Sequence, residues 1–170
     1  MRLYLMRHAE AGEADTRRWP DDRERPLSEV GHREHALVAA ALARMGVRFD
    51  RLLTSPLVRA RQTAEITAAA YGGRPAPEET ATLGDEATLG EFLAVLARLP
   101  TDAVVVGVGH EPFLSAATAA LISRDGSARV VMKKSGVAAI DFDGPAAPGR
   151  GTLLFHLRPH DLITLAGGRV

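Results

Sequence analysis

Apolar positions recur along the chain with two periods, and the points where one gives way to the other divide it into strands and helices. Leu3-Tyr4-Leu5-Met6 is a short apolar run ending in Arg7-His8, which predicts a strand anchored in a core with two polar side chains at its carboxyl end. Ala11 to Arg25 is charged, contains Trp19-Pro20 and predicts a long surface loop. Ser28 is a good helix N-cap, and Val30, Leu37, Val38, Ala41, Leu42 and Met45 follow at helical spacing until Gly46. Phe49 to Thr54 reads as a second strand. Ser55-Pro56 then opens a second helix with the stripe Leu57, Ala60, Ala64, Thr67, Ala68 and Tyr71, closed by Gly72-Gly73. Arg59 falls off that stripe near the helix start, where a side chain leans back toward the edge at which the preceding strand ends.

Residues 74–90 turn to Pro, Glu, Thr and Gly and predict another loop, before a short helix from Glu91 to Leu99 stopped by Pro100. Ala103 to Val108 is apolar on both faces, the pattern of a central parallel strand between helix layers. It runs into Gly109-His110-Glu111-Pro112 and a helix with Phe113, Leu114, Ala117 and Leu121 on its buried side. Ser123 to Ser135 is a polar loop, and Val137 to Phe142 and Thr152 to Leu157 form a strand pair; the last residues carry little pattern. The order β-α-β-α-α-β-α-β-β argues an α/β domain, a three-layer αβα sandwich with a mostly parallel central sheet.

Composition narrows the function. At 170 residues the chain suits one domain with one core. Lys+Arg and Asp+Glu both number 21, so the whole chain offers no attraction to nucleic acid or to an anionic membrane, and any positive site is local. There is no cysteine, which removes disulfides, thiol nucleophiles and Cys-ligated metal sites. No charged-then-apolar leader opens the sequence and no apolar run reaches membrane length, so a cytoplasmic location is expected.

Three predicted strand ends deliver Arg7-His8, Arg59 and His110, and open α/β sheets bind ligands at the carboxyl edge of their strands. Arginine brings a permanent charge and a planar donor fork suited to phosphate or carboxylate, and a neutral imidazole can serve as nucleophile or base. His32 and His35, three apart on the first helix, lack a third metal ligand and read as surface residues; His156 and His160 read as packing and loop residues.

Four segments then carry a resemblance: Leu5-Met6-Arg7-His8-Ala9-Glu10, Arg25-Pro26-Leu27-Ser28-Glu29-Val30-Gly31, Leu53-Thr54-Ser55-Pro56-Leu57-Val58-Arg59-Ala60-Arg61-Gln62-Thr63-Ala64 and Gly107-Val108-Gly109-His110-Glu111-Pro112. In content, order and spacing they are similar to the blocks of the histidine phosphatase (phosphoglycerate mutase-like) superfamily. The short chain resembles its small bacterial phosphohistidine phosphatases of the SixA type most. The resemblance implies a phosphoglycerate mutase-like fold and a phosphatase in which His8 accepts the phosphoryl group while Arg7, Arg59 and His110 hold its oxygens. Arg25 is a further substrate contact on this reading, and no metal or other cofactor is implied. It implies as substrate a phosphohistidine in a phosphorylated protein; the alternatives are a small phosphate ester or, with turnover lost, a module that binds phosphate or phosphoprotein. Larger members supply an acidic proton donor between the second helix and the central strand, where Glu86 is the candidate here beside Asp85.

Overall fold

The computed structural model describes residues 1–167. Among them, six strands form one sheet: β1 (Arg2–Arg7), β2 (Arg51–Thr54), β3 (Pro77–Glu79), β4 (Val104–Gly109), β5 (Val137–Asp141) and β6 (Thr152–Leu157), in spatial order β3-β2-β4-β1-β5-β6. β3, β2, β4 and β1 run parallel; β5 is antiparallel to β1, and β6 to β5.

The two-residue period of the strands sorts side chains into two cores. Leu3 and Leu5 of β1 join Leu53, Val105 and Ile140 beneath α3 (Leu89–Leu96) and α4 (Phe113–Ile122), which contribute Phe92, Leu96, Leu114 and Leu121. Tyr4 and Met6 join Leu52, Val106, Val108 and Ala139 on the other face. There α1 (Glu29–Arg44), α2 (Val58–Ala69) and α5 (Pro159–Leu165) bury Val38 and Leu42, Ala60 and Ala64, and Leu162 and Ile163. Helices on both faces make the three-layer αβα sandwich that the doubly apolar β4 predicts.

Four departures from the sequence reading have physical causes. Within residues 74–90, Pro77–Glu79 forms the edge strand β3. Among the described residues it pairs with β2 alone, and it carries two exposed glutamates, a composition that suits an edge and hides a strand signal. The C-terminal helix α5 starts on Pro159 after a cap in which Asp161 accepts the Arg158 N–H. α2 begins at Val58, because Ser55 Oγ accepts the Leu57 N–H at 3.2 Å and caps the turn before the helix. α1 is rotated from its expected phase: Val30 and Leu37 are exposed, and the buried stripe is Gly31, His35, Val38, Ala39, Ala41 and Leu42.

Two glycines set the approach of neighbouring segments. A β-carbon on Gly31 would collide with the carbonyl oxygen of Glu10, which also accepts the Ser28 N–H at 2.9 Å, so the start of α1 rests directly on the chain leaving β1. A β-carbon on Gly109 would meet the Leu83 carbonyl oxygen at 3.1 Å, and the turn at Ala81–Leu83 packs over the end of β4 for that reason.

Candidate active site

β1 and β4 are hydrogen-bonded neighbours with Arg7 opposite Gly109, and the ladder runs one residue further through the His8 N–H to the Gly109 carbonyl at 3.0 Å. His8 and His110 therefore leave adjacent parallel strands at the same height. Their rings stand 5.0 Å apart, tilted by 48°, and both are buried.

The protonation of His8 follows from its partner. Nδ1 lies 2.6 Å from the carbonyl oxygen of Ala9, which can only accept, so the ring proton is on Nδ1 and Nε2 carries the lone pair. Burial, His110, Arg59 and Arg7 push the imidazole down to about 2, against the bond to Ala9. The ring is neutral at physiological pH, as a nucleophile must be. His110 is pushed down to about 3 by burial and by Arg59 and Arg7, and its Nε2 is 2.8 Å from Ser55 Oγ.

Both arginines lie within electrostatic reach of this pair. The half-buried Arg7 donates from Nη1 to the Met132 carbonyl at 2.9 Å and has no carboxylate partner among the described residues. Arg59, at the first turn of α2, has a side chain only 6% exposed. Its Nη1 donates to the Asp22 carbonyl at 2.8 Å and lies 3.2 Å from the Asp22 carboxylate, while Nη2 is 3.8 Å from Asp85. Burial works against the Arg59 cation, and Asp22 and Asp85 offset it. Two guanidinium groups, a neutral histidine with a free Nε2 and a second imidazole thus converge at the carboxyl edge of the sheet, an arrangement suited to an oxyanion.

The model of the histidine phosphatase superfamily (branch 1) matches residues 3–93, just over half of the chain. The chain belongs to this superfamily. It is 42% identical over 139 residues to an uncharacterised protein of Picosynechococcus sp., covering 81% of this chain and 82% of that one. It is 28% identical over 165 residues to the phosphohistidine phosphatase SixA of Escherichia coli, covering 95% and 96%. A solved structure of the protein histidine phosphatase SixA complexed with tungstate superposes with a TM-score of 0.81 at 28% identity, covering 95% of this chain and 99% of that one. This histidine phosphatase is therefore an enzyme that removes phosphoryl groups, on the phosphoglycerate mutase-like fold.

The remaining expected site residues of the phosphatase sit less centrally. Arg25 spends its donors on the loop that ends with it: Nε and Nη2 go to Asp22, and Nη1 to the carbonyls of Ala11 and Gly12. Glu86 is exposed at the rim of a small cavity of 170 Å³ that also includes Arg23, Pro56, Leu57 and Asp85, and it is Asp85 that approaches Arg59. Asp22 is held below the usual carboxylate range by its bond to Arg25, with Arg59 adding to the effect. Arg7 also lines an open groove of 680 Å³ together with Glu10, Glu34, Lys133, Lys134 and Arg158. His32 is exposed as expected, but His35 is fully buried between Ser135 and Thr67, a correction to its reading as a surface residue. His156 is partly buried in β6, and His160 is exposed in the first turn of α5, not in a loop.

Several supporting residues escaped the sequence reading. Thr63 Oγ1 accepts the Ala9 N–H at 3.0 Å and Gln62 Oε1 accepts the Leu27 N–H at 2.8 Å, so the Gln-Thr pair of the third sequence block bolts α2 to the two earlier ones. That pair lay in view. Met132 and Ser135, inside a loop that is polar overall, gave no signal.

Proposed function

We propose that the chain is a metal-independent phosphatase that removes the phosphoryl group from phosphohistidine carried by a protein, through a covalent adduct on His8. The observation that carries this reading is a neutral His8 with a free Nε2 near Arg7, a half-buried cation with no carboxylate partner among the described residues, and near Arg59. His8 Nε2 attacks phosphorus as the P–N bond of the substrate breaks, and the departing imidazole leaves with its own proton. The three phosphoryl oxygens, across which the transition state spreads its charge, lie against the two guanidinium groups and His110, doing the work a divalent cation performs elsewhere. Water then attacks the adduct, giving inorganic phosphate and free His8. The SixA relative crystallised with tungstate, a tetrahedral oxyanion like phosphate, supports an oxyanion site on this fold.

The carboxylates support the choice of phosphohistidine. Asp22, beside Arg59, is held ionised by Arg25 and is a poor proton donor near neutrality, while Asp85 and Glu86 are exposed. A site so short of a free acid suits a leaving group that carries its own proton better than an alkoxide, which needs one. The test is an alkaline quench during turnover of a phosphohistidine protein, which preserves P–N bonds, followed by peptide mass spectrometry. A phosphoryl adduct on His8, its loss together with turnover in His8→Ala, and phosphate release unchanged by EDTA are expected. Full turnover by His8→Ala would overturn the mechanism.

A further inference from the structure

Behind the strand end that carries Arg7 and His8 lies a chain of buried hydroxyl and imidazole groups that the reaction does not use directly. His35 Nδ1 is 3.1 Å from Ser135 Oγ, and Nε2 is 2.9 Å from Thr67 Oγ1. All three residues are fully buried. The direction of these bonds is fixed by the groups at their end. Thr67 Oγ1 also stands 2.9 Å from the Thr63 carbonyl, which can only accept, so the Thr67 hydroxyl hydrogen points there. Thr67 must then accept from His35 Nε2–H, and the bare Nδ1 of His35 accepts the Ser135 hydroxyl. Burial pushes this imidazole down to about 4, so one neutral tautomer serves both partners.

Each end of the chain grips part of the site. Ser135 takes a left-handed backbone, φ 57°, and shares its N–H between the carbonyls of Arg7 at 3.1 Å and His8 at 3.2 Å. At the other end the Thr63 hydroxyl donates to the Arg59 carbonyl at 2.7 Å while its oxygen accepts the Ala9 N–H. The Ala9 carbonyl is in turn the acceptor that sets the tautomer of His8. α2 meets the sheet through Ala60, Ala64 and Ala68, small side chains that interlock little, whereas a fully paired polar bridge is directional.

We propose that His35 is a positioning residue for phosphoryl transfer: by bridging Ser135 and Thr67 it holds the Arg7-His8-Ala9 backbone in register with the helix that carries Arg59. The proposal rests on the covalent mechanism above and places His35 out of contact with the substrate. A shift of a fraction of an ångström between His8 and Arg59 moves the nucleophile off its line to phosphorus.

The experiment combines pre-steady-state kinetics with imidazole NMR on His35→Leu, His35→Gln, Ser135→Gly and Thr67→Val. With p-nitrophenyl phosphate as probe, His35→Leu should slow formation of the His8 adduct by about 10- to 100-fold, the scale of a misplaced reacting group, with the reactive fraction of the enzyme retained. His35→Gln, whose carboxamide offers one acceptor and one donor edge, should restore the rate to within about threefold. Ser135→Gly accommodates the left-handed backbone and deletes the hydroxymethyl side chain, and Thr67→Val keeps the volume; both should share the loss, and they decide the matter if His35→Leu does not fold. A merely structural role would lower the reactive fraction and leave the rate constant alone, which overturns the proposal, as does a wild-type rate in His35→Leu. Nitrogen-15 correlation of the imidazoles needs no turnover. It should show one Nδ1–H tautomer at His8 in the wild type and tautomer exchange in His35→Leu. A wild type with no adduct would overturn the covalent mechanism, while an unchanged His8 tautomer in His35→Leu would overturn the bridge.

Discussion

The floor and the rim of this pocket are built by different physics. Arg7, His8 and His110 extend from paired strands, and the peptide groups around them are fixed by buried hydrogen bonds to Gly109, Ser135, Gly136 and Thr63. The rim is held by charges near water: Asp22 and Asp85 reach Arg59 from the loops at residues 11–25 and 74–90, and Lys134 reaches Glu10 at 2.7 Å from the loop before β5. Ladder bonds and buried hydrogen bonds resist displacement, whereas exposed ion pairs are worth little and yield to salt. On the proposed function, the difference suits a fixed chemical step served by adaptable substrate contacts. Arg59 belongs to both regions, buried along its length and tied at its tip to the rim.

The comparison can be broken most directly at the arginines. Arg7→Ala and Arg59→Ala should each lower kcat by about 10²- to 10³-fold, the scale of losing one charge-stabilising donor in a preorganised site. Losses of only a few-fold in both would show that the floor does not bear the phosphoryl charge. Next comes Gly31→Ala, which drives a methyl group into the Glu10 carbonyl. It should cost at least about 1–3 kcal/mol of stability, measured by urea unfolding. An unchanged midpoint would mean that the chain leaving β1 is not braced by α1.

Acid separates the two regions. Burial is the leading cause that holds His8, His110 and His35 down to about 2, 3 and 4, whereas an unfolded chain protonates them near 6.5. As pH falls below 6.5 the unfolded state binds protons that the folded state refuses, so stability is complete above 6.5 and is lost progressively on the way to 4 and below. Each histidine contributes up to about 1.4 kcal/mol per pH unit in that window. Asp22 has its pKa lowered from 3.8 by Arg25, so its contribution is present above that value and is lost only as pH falls below it. Urea midpoints at pH 7, 5.5 and 4.5 should therefore fall steeply, and His35→Gln should flatten the slope by one proton's share; a flat profile would refute the buried neutral histidines. The smallest effects belong to the rim. Asp85→Asn should change stability by less than about 1 kcal/mol, and less again in high salt. Glu86→Gln should slow hydrolysis of a phosphate ester more than that of phosphohistidine in a paired assay, and equal slowing would remove the leaving-group argument.

What the sequence disclosed follows the same division. β1 and β4 were legible because their side chains face two cores, and the positions of Arg7, His8, Arg59 and His110, though not their roles, because each stands at a recognisable element end. β3 was not, since three residues of proline and glutamate on an edge owe their conformation to β2 and not to their own pattern. The phase of α1 was misjudged because its buried stripe includes Gly31 and His35, whose burial depends on Glu10, Ser135 and Thr67, all distant in sequence. Asp22 could not be told from its charged neighbours in a loop whose shape depends on Arg25. Local pattern shows where an element ends, while partners supplied by the fold decide what a polar side chain does there.

β1 lies between β4 and β5, with Arg7 opposite Gly109 and Met6 opposite Val137. Both neighbours come from about a hundred or more residues further along the chain, so pairing β1 closes a very long loop before any ladder bond repays the lost freedom. The pocket has no local precursor. On dilution from urea, recovery of catalysis should coincide with closure of the sheet as a whole, and an intermediate holding only the β2-to-α4 portion would contain His110 and Arg59 without His8, the proposed nucleophile.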